Sequence, residues 1–590
     1  MSLPASVSGV LGNTSLDRFD ALIVGSGAGG SAAAHVLAAA GWKVLVLEAG
    51  VNPFPGLDHS GHIPWPLFSN DEIKNALRHF VYQDPLLEPR TFRQSESETA
   101  QAHPDVNILT RNVGGAAVIS GVAYPRFTPV DFRMASALSA AGRNYPGTSF
   151  ADWPLSYEEL EPFYTEAECL SGVAGDTTGE DDNPFAPPRS RPLPLPPQPP
   201  MYVARVLAHG AKQLGYHPYN LESAINTQPY DGRSPCVSCG FCSGYGCPRN
   251  AKGSPAVTTL RRALLTGNCQ LRYHAHVSRL VRDGSGRRVV SVEYIDDNGQ
   301  MQSAAADHVI LAASPIESAR ICWLSGITDA GGHLGRHMMF HFQTTGVGIF
   351  KQRLHGERGR SVTHVISDFR GVKAGGAELR SDWPHLAGVV EFGTSSQPII
   401  AARESLRPEA VGFARLFNVS FKQLLVESPF HAHIAVLIMQ GEDAPQPANR
   451  VDLDPTVRDV FGLPVPRLTY RNHAFELNAS EFYKPKMLEL LEAAGAAYGF
   501  FQPFDPAVPP ASRHILGGLR MGTSPADSVC DRFGKFHDLD NLYCADGGVF
   551  VTGSGYNPTL TIIALALRLA GALVSPGSPE HVLGCASAAG

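Results

Sequence analysis

The sequence of 590 residues is short of charge, of cysteine and of uninterrupted apolar runs, and each shortage closes off a class of protein. Its most apolar late stretch, Leu560 to Val574, is broken by Arg568 and is too short to cross a bilayer. Ten cysteines in so long a chain do not make a disulfide scaffold. Charged residues are 17% of the chain, and the formal net charge of −7 gives nucleic acid or anionic lipid nothing to hold. Met1 to Asp17 has neither a basic start nor an apolar core. That reads as no export signal of the chain's own and a cytoplasmic location, with carriage outward by a signal-bearing partner left open. No internal repeat is evident. What remains is an ordinary globular composition, 43% hydrophobic, with length enough for two intertwined domains.

The first informative segment is Asp20-Ala-Leu-Ile-Val-Gly25, an apolar run of strand type. It leads into Gly25-Ser-Gly27-Ala-Gly-Gly30, an alanine-rich helix from Ser31 to Ala40, and a second apolar strand from Lys43 to Leu47 that ends at Glu48. Gly25 makes the turn, Gly27 admits a pyrophosphate to the backbone amides, and Gly30 lets helix and strand pack closely. The helix N-terminus favours the phosphates, and Glu48 lies where a carboxylate would accept from the adenosine ribose. This unit binds a dinucleotide but does not distinguish NAD from FAD.

The later motifs make that distinction. They are His514-Ile-Leu-Gly-Gly-Leu-Arg-Met-Gly522, Asn541-Leu-Tyr-Cys-Ala-Asp546-Gly547 and Gly555-Tyr-Asn557-Pro-Thr559-Leu-Thr561, followed by an apolar helix from Ile562 to Leu573. Their order resembles the C-terminal half of the glucose-methanol-choline (GMC) oxidoreductases, which bind FAD. Thr110-Arg111-Asn112-Val-Gly114-Gly115 is similar to the family's glycine loop near the isoalloxazine, and Trp153 to Tyr164 to its interdomain helix. Val309 to Arg320 and Leu334 to His341 resemble two further family segments, so the likeness runs from about Asp20 to Leu573. It implies an α/β fold: a Rossmann-type FAD-binding domain (17–170, 236–335 and 510–576) intertwined with a β-sheet substrate-binding domain and linker (171–235 and 336–509). Within the family, the cysteine cluster before Ala251-Lys-Gly-Ser254 and the segment Gly441 to Asp454 resemble the sugar and sugar-acid dehydrogenases. Tyr124-Pro-Arg126 is similar to pyranose oxidases.

Oxidation of an alcohol by a flavin needs a base for the hydroxyl proton and a place for the hydride. His514 is the candidate base, since a neutral imidazole can take that proton near neutral pH. Asn557 is the candidate holder of the alcohol oxygen, and the resemblance puts the two side by side over the flavin. A lone histidine is more often a core or surface residue, and Asn557-Pro558 alone reads as a turn; His337, His341 and His537 are left structural. The resemblance also implies that Arg111, Asn112, Gly114, Gly115, Asp546, Gly547, Asn557 and Thr559 meet the cofactor, with Val277 at the adenine. A turn aspartate and a buried strand valine are the plain readings of Asp546 and Val277. Some family members attach FAD through a histidine just after the paired glycines. Here the stretch is Ala116-Ala-Val-Ile119-Ser120, so non-covalent FAD is expected.

Cys236, Cys239, Cys242 and Cys247 have two, two and four residues between them, close to a ferredoxin run. Two readings stand. In one, these cysteines hold an iron–sulfur cluster that passes electrons from FAD to a partner protein or cytochrome; in the other they are relics or pack a tight glycine loop, with or without a disulfide, and the enzyme reacts directly with oxygen or a dye-like acceptor. The remaining cysteines, Cys169, Cys269, Cys322, Cys530, Cys544 and Cys585, read as ordinary thiols. Glu180 to Pro200 is proline-rich and reads as an extended surface connection. Stretches of strand type follow at Gln343 to Phe350, Ser361 to Phe369, Leu386 to Phe392 and Ala432 to Met439, suggesting the sheet of the substrate domain. Phe340, Phe342, Phe417 and Phe421 would line an aromatic pocket or pack a core. The expected activity is oxidation of a CH–OH group, of a sugar, glycoside or polyol first, with electrons passed to a non-oxygen acceptor. An oxidase of the same fold, using oxygen on an aromatic or other alcohol, is the alternative. A nicotinamide dehydrogenase would share Gly25 to Glu48 yet leave His514 to Thr561 unexplained, and a pure electron-transfer subunit would have no need of His514 with Asn557.

Overall fold

The computed structural model describes residues 17–57, 60, 62–68, 81–104, 106–107, 109–176, 183–356, 359–393, 432–582 and 584. The expected opening unit is present. The strand Arg18–Val24 pairs in parallel with Val44–Leu47 on one side and with Met301–Leu311 on the other. Strands covered on both faces need no polar alternation, and all four residues of Val44–Leu47 are buried. The helix Ala28–Ala39 joins the first two strands, carried by its run of alanines. It ends at Gly41, whose φ of +86° lets Trp42 turn back and donate to the Leu37 carbonyl at 3.1 Å.

Met301–Leu311 organises the rest of this seven-stranded sheet. Its first residues pair antiparallel with Val289–Ile295, which pairs with His276–Arg282. Its last residues take up Arg18–Val24 and also Leu542–Cys544 in parallel. The late helix Thr559–Val574 packs on Ala28–Ala39 and on Tyr157–Ser171, closing the layer. None of the described helices is long and apolar enough to cross a membrane.

A second, six-stranded sheet runs Ala496–Phe501, Phe342–Phe350, Ile434–Gly441, Val390–Gly393, Val362–Ile366 and Tyr219–Asn220. Its four central strands are the four stretches read from the sequence, two of them shorter than expected. One face is apolar and packs against the helices Ala474–Ala493 and Tyr202–Gln213. A third sheet joins Arg450–Arg458 and Pro464–Thr469 to Thr91–Arg93 and Gln101–Ala102. It thus ties residues assigned above to the two separate domains.

Three expectations change. The described part of the proline-rich stretch is extended but not loose: Leu195 is buried, and Arg189 pairs with Glu222 at 3.2 Å. Cys169 is disulfide-bonded rather than a free thiol, and Cys585 lies outside the described residues. Phe340 is fully buried against Tyr470 as core, whereas Phe342 stays half-buried against Phe504; Phe417 and Phe421 are outside the described residues.

The segment after the glycine loop is anchored by one cation. Arg126 is buried and donates to both oxygens of Glu168 (2.8 and 2.7 Å), to Glu161 (2.8 Å) and to the Tyr157 hydroxyl (3.1 Å). These partners all lie on Tyr157–Ser171. Removing one side of a buried pair leaves the other charge uncompensated, at about 3–5 kcal/mol. Arg126→Met should lower stability by about that amount, read as an earlier urea midpoint; an unchanged midpoint would refute the assignment.

Candidate active site

A cleft open to solvent runs along the ends of the first sheet. It is lined by Gly25, Gly27, Glu48, Arg111, Gly115, Val277, His514, Asp546, Gly547 and Thr559 among others, so most of the residues singled out from the sequence meet in one place. Three helices begin on it, at Gly27, Ser314 and Pro558, and none has a side-chain cap. Free amides and the positive ends of three dipoles therefore face the same space, which favours a polyanion.

Close packing makes this possible. A Cβ on Gly30 would lie 2.0 Å from the Gly25 carbonyl oxygen, and one on Gly29 would lie 1.5 Å from that of Ala545. A Cβ on Gly27, by contrast, would meet no protein atom nearer than 4.0 Å, so its bareness serves what enters the cleft. Glu48 is buried, and its Oε2 accepts from the Ser26 amide at 3.0 Å and hydroxyl at 2.6 Å. Its Oε1 accepts from the Gly50 amide at 2.9 Å. A carboxylate offers about four acceptor positions, which leaves one for a ribose hydroxyl. These residues fit the adenosine and pyrophosphate of FAD.

Some expected contacts lie one layer back. Asn112 is buried behind the glycine loop, donating to the Val113 carbonyl at 2.8 Å, and does not line the cleft. Gly114 donates its amide to the Ser26 hydroxyl at 3.0 Å, locking the glycine loop to the dinucleotide turn. Ser26, placed between two motif glycines, was missed in the sequence although it binds both Glu48 and Gly114. Ile119 and Ser120 also stay off the cleft; Ala116 and Ala117 line it.

At the far end of the cleft His514 is half-buried, and its pKa is pushed well below 6.5 by desolvation and by His341 beside it. Its protonation pattern follows from its neighbours. His341 Nε2 faces the Gly553 carbonyl at 3.2 Å, which can only accept, so Nε2 carries the proton and Nδ1 is bare. His514 Nδ1 lies 2.9 Å from that bare nitrogen and must donate to it. The proton of His514 is thereby fixed on Nδ1, and Nε2 is left as a free acceptor. Burial lowers His341 to about 4, so the arrangement persists across neutral pH. His341, set aside above as structural, touches the candidate base directly.

Asn557 stands 3.4 Å from His514 Nε2 through its amide nitrogen, which also donates to Glu391 Oε1 at 3.2 Å. Its Oδ1 is buried with no partner, a situation that costs about 1–3 kcal/mol unless something arrives to pair with it. Glu391 comes from the second sheet, and burial raises its pKa. Nothing in the sequence around Glu391 signals this contact, which depends on how the two sheets meet. Asp546 lies beneath, its carboxylate taken by the Ser318 hydroxyl (2.6 Å) and the Gly548 amide (2.7 Å).

The cysteine loop is built differently from the iron–sulfur reading. Cys236, Cys239, Cys242 and Cys247 are free; Cys239 is exposed, and burial raises the thiols of Cys236 and Cys242. Among the described residues no three His, Cys, Asp or Glu side chains form a group able to hold a metal ion. The four cysteines do not fit a cluster as they stand, and no step is routed through one. Lys252 binds the loop instead: its buried Nζ donates to the carbonyls of Tyr245 and Ser120, each at 2.7 Å.

The likeness to known proteins agrees with this geometry. Family signatures described as GMC oxidoreductase match residues 148–343 and 445–566, and one described as an NAD(P)-binding Rossmann-like domain matches 23–61. The chain is 29% identical to a gluconate 2-dehydrogenase flavoprotein of Pantoea cypripedii, covering 94% of each. It is 30% identical to a 2-methyl-1,2-propanediol dehydrogenase of Mycolicibacterium austroafricanum, covering 94% of this chain and 95% of the relative. Among solved structures, pyridoxine 4-oxidase from Mesorbium loti superposes with a TM-score of 0.60 at 17% identity, over 93% of this chain and 98% of the other, a likeness of fold. The chain belongs to the GMC oxidoreductases, FAD enzymes that act on CH–OH donors.

Proposed function

We propose that the protein is a FAD-dependent dehydrogenase of a sugar, glycoside or polyol, with His514 as the base and Asn557 as the holder of the reacting oxygen. The observation that carries this reading is the directed hydrogen-bond chain from the Gly553 carbonyl through His341 to His514, which leaves Nε2 bare beside the Asn557 amide. An alcohol placed between them would give its hydroxyl proton to Nε2 while its oxygen accepts from Asn557 Nδ2. Bound FAD supplies the acceptor for the hydride that leaves the carbinol carbon, whose C–O bond becomes C=O. His341 positions the base and keeps its tautomer. The cofactor is held without a covalent bond, since the residues after Gly115 that line the cleft are alanines.

Sugar-like or polyol substrates and an acceptor other than oxygen are supported by the two relatives above, a gluconate and a diol dehydrogenase. No partner protein is needed for the flavin to be reduced by the alcohol; an electron-acceptor protein or cytochrome would act afterwards.

His514→Ala should slow anaerobic flavin reduction by alcohol by roughly 10²–10⁴-fold, with the bound flavin spectrum and its release on acid precipitation unchanged. Reduction near the wild-type rate would remove His514 from the role. Because the base must be neutral and its pKa is depressed, acidification should leave the reduction rate flat from pH 8 to below 6.5 and lower it only beyond that. A rate that halves near pH 6.5 or above contradicts the fixed tautomer. Flavin reduced under argon should reoxidise slowly when air is admitted and rapidly when a soluble quinone is added; fast reoxidation in air with hydrogen peroxide formed would make the enzyme an oxidase.

A further inference from the structure

We infer that Glu391, Gln440 and Gln343 form a recognition stripe for substrate hydroxyls beyond the one oxidised, so that the enzyme selects polyhydroxylated neutral compounds over mono-alcohols of the same length. The inference rests on the reading of His514 and Asn557 as the pair that handles the alcohol.

The stripe follows from strand register. Gln343 pairs with Gln440 across Phe342–Phe350 and Ile434–Gly441. Glu391 pairs with Ile438, two residues before Gln440, across Val390–Gly393 and the same central strand. Side chains two apart on a strand share a face, so the carboxyl and both amides project from one side of three adjacent strands. The opposite side is given over to Val390, Phe392, Leu437 and Met439, packed in the apolar core of this domain. The three polar side chains share their face with Ile438 and Val436, and they make up the end of that face that meets Asn557.

The contacts are continuous. Gln343 Nε2 donates to Gln440 Oε1 at 3.0 Å, Gln440 is hydrogen-bonded to Glu391, and Asn557 donates to Glu391 at 3.2 Å. Gln343 is half-buried at the outer end, while Glu391 and Gln440 are buried. Independently, the buried Oδ1 of Asn557 has no partner, so this end of the stripe awaits a donor. The amides both accept and donate and the carboxylate accepts, a row of partners that suits neighbouring hydroxyls, which do both. A site built to bond hydroxyls rejects an analogue that lacks them strongly, because its own polar groups are then left unpaired. An alkyl chain laid along this stripe would take water from the half-buried Gln343 amide, leave Asn557 Oδ1 unpaired and return no hydrogen bond to either.

The test compares sorbitol with hexan-1-ol in anaerobic stopped-flow reduction of the bound flavin, using the ratio of their limiting rate over apparent dissociation constant. Wild type should favour sorbitol by about a hundredfold or more. Gln343→Leu and Gln440→Leu should each reduce that preference by about tenfold or more, and Glu391→Gln, which keeps hydrogen bonding, by less. The flavin spectrum of each variant reports folding, and the half-buried Gln343 carries the test if the buried Gln440→Leu fails to hold flavin. A wild type reduced as well by hexan-1-ol, or a preference unchanged within about twofold in Gln343→Leu, overturns the stripe while leaving the alcohol-oxidising function in place. If neither alcohol reduces the flavin and glucose and glycerol also fail, the functional reading itself falls.

Discussion

The architecture turns on how closely the first helix approaches two strand ends. At Gly30 it touches the carbonyl of Gly25, and at Gly29 that of Ala545, with no space for a β-carbon at either. This double contact fixes where the helix begins, and with it the direction of its free amides. It also pulls the segment after Leu542–Cys544 against the dinucleotide turn. Asp546 is thereby placed under the cleft, and the stretch onward to Asn557 is led to its far end. A protein in which either glycine were alanine would have to separate helix from sheet, and the two ends of the cleft would no longer belong to one surface.

At the catalytic end the governing factor is dryness. Water around His514 would let its proton move between the two nitrogens and would blur which one faces substrate. The hydrogen bond at Nδ1 removes that freedom in the half-buried ring, and a main-chain carbonyl thereby dictates the state of two imidazoles in succession. A backbone acceptor suits this task because it has no second protonation state. The same dryness raises the Glu391 carboxyl and depresses both histidines, so the groups nearest the reacting bond are biased toward their uncharged forms.

How much of this could be read beforehand depended on distance along the chain. Gly25, Gly27, Gly30 and Glu48 belong to one unit of strand, turn, helix and strand, whose geometry is local, so Gly25, Gly27 and Glu48 line the cleft while Gly30 packs behind it on Gly25. His514 and Asn557 were placed by resemblance of whole motifs rather than by any local rule. His341 was set aside because a histidine at a segment's end carries no sign of what it will touch 173 positions later. Glu391 was missed for the same reason: an acid in a short buried strand looks like a misfit until the neighbouring strands supply Gln440 and Gln343. The cysteine spacing by itself left two readings open. Close spacing brings thiols near in sequence, but among the described residues no three are grouped to hold a metal ion, while the loop carbonyls of Cys242 and Tyr245 converge on Lys252.

The strand Met301–Leu311 pairs antiparallel at its start and parallel at its end, and its parallel partners come from opposite extremes of the described chain. Such a sheet has very high contact order. During synthesis, Arg18–Val24 waits for about half of the chain to emerge before its central neighbour exists, and Leu542–Cys544 arrives later still. The antiparallel hairpins of His276 to Leu311 can form early and locally, but the cleft has no floor until the final strand docks. Cofactor loading is thus a late event in the life of each molecule, and until then apolar strands such as Val44–Leu47 lie open to wrong partners.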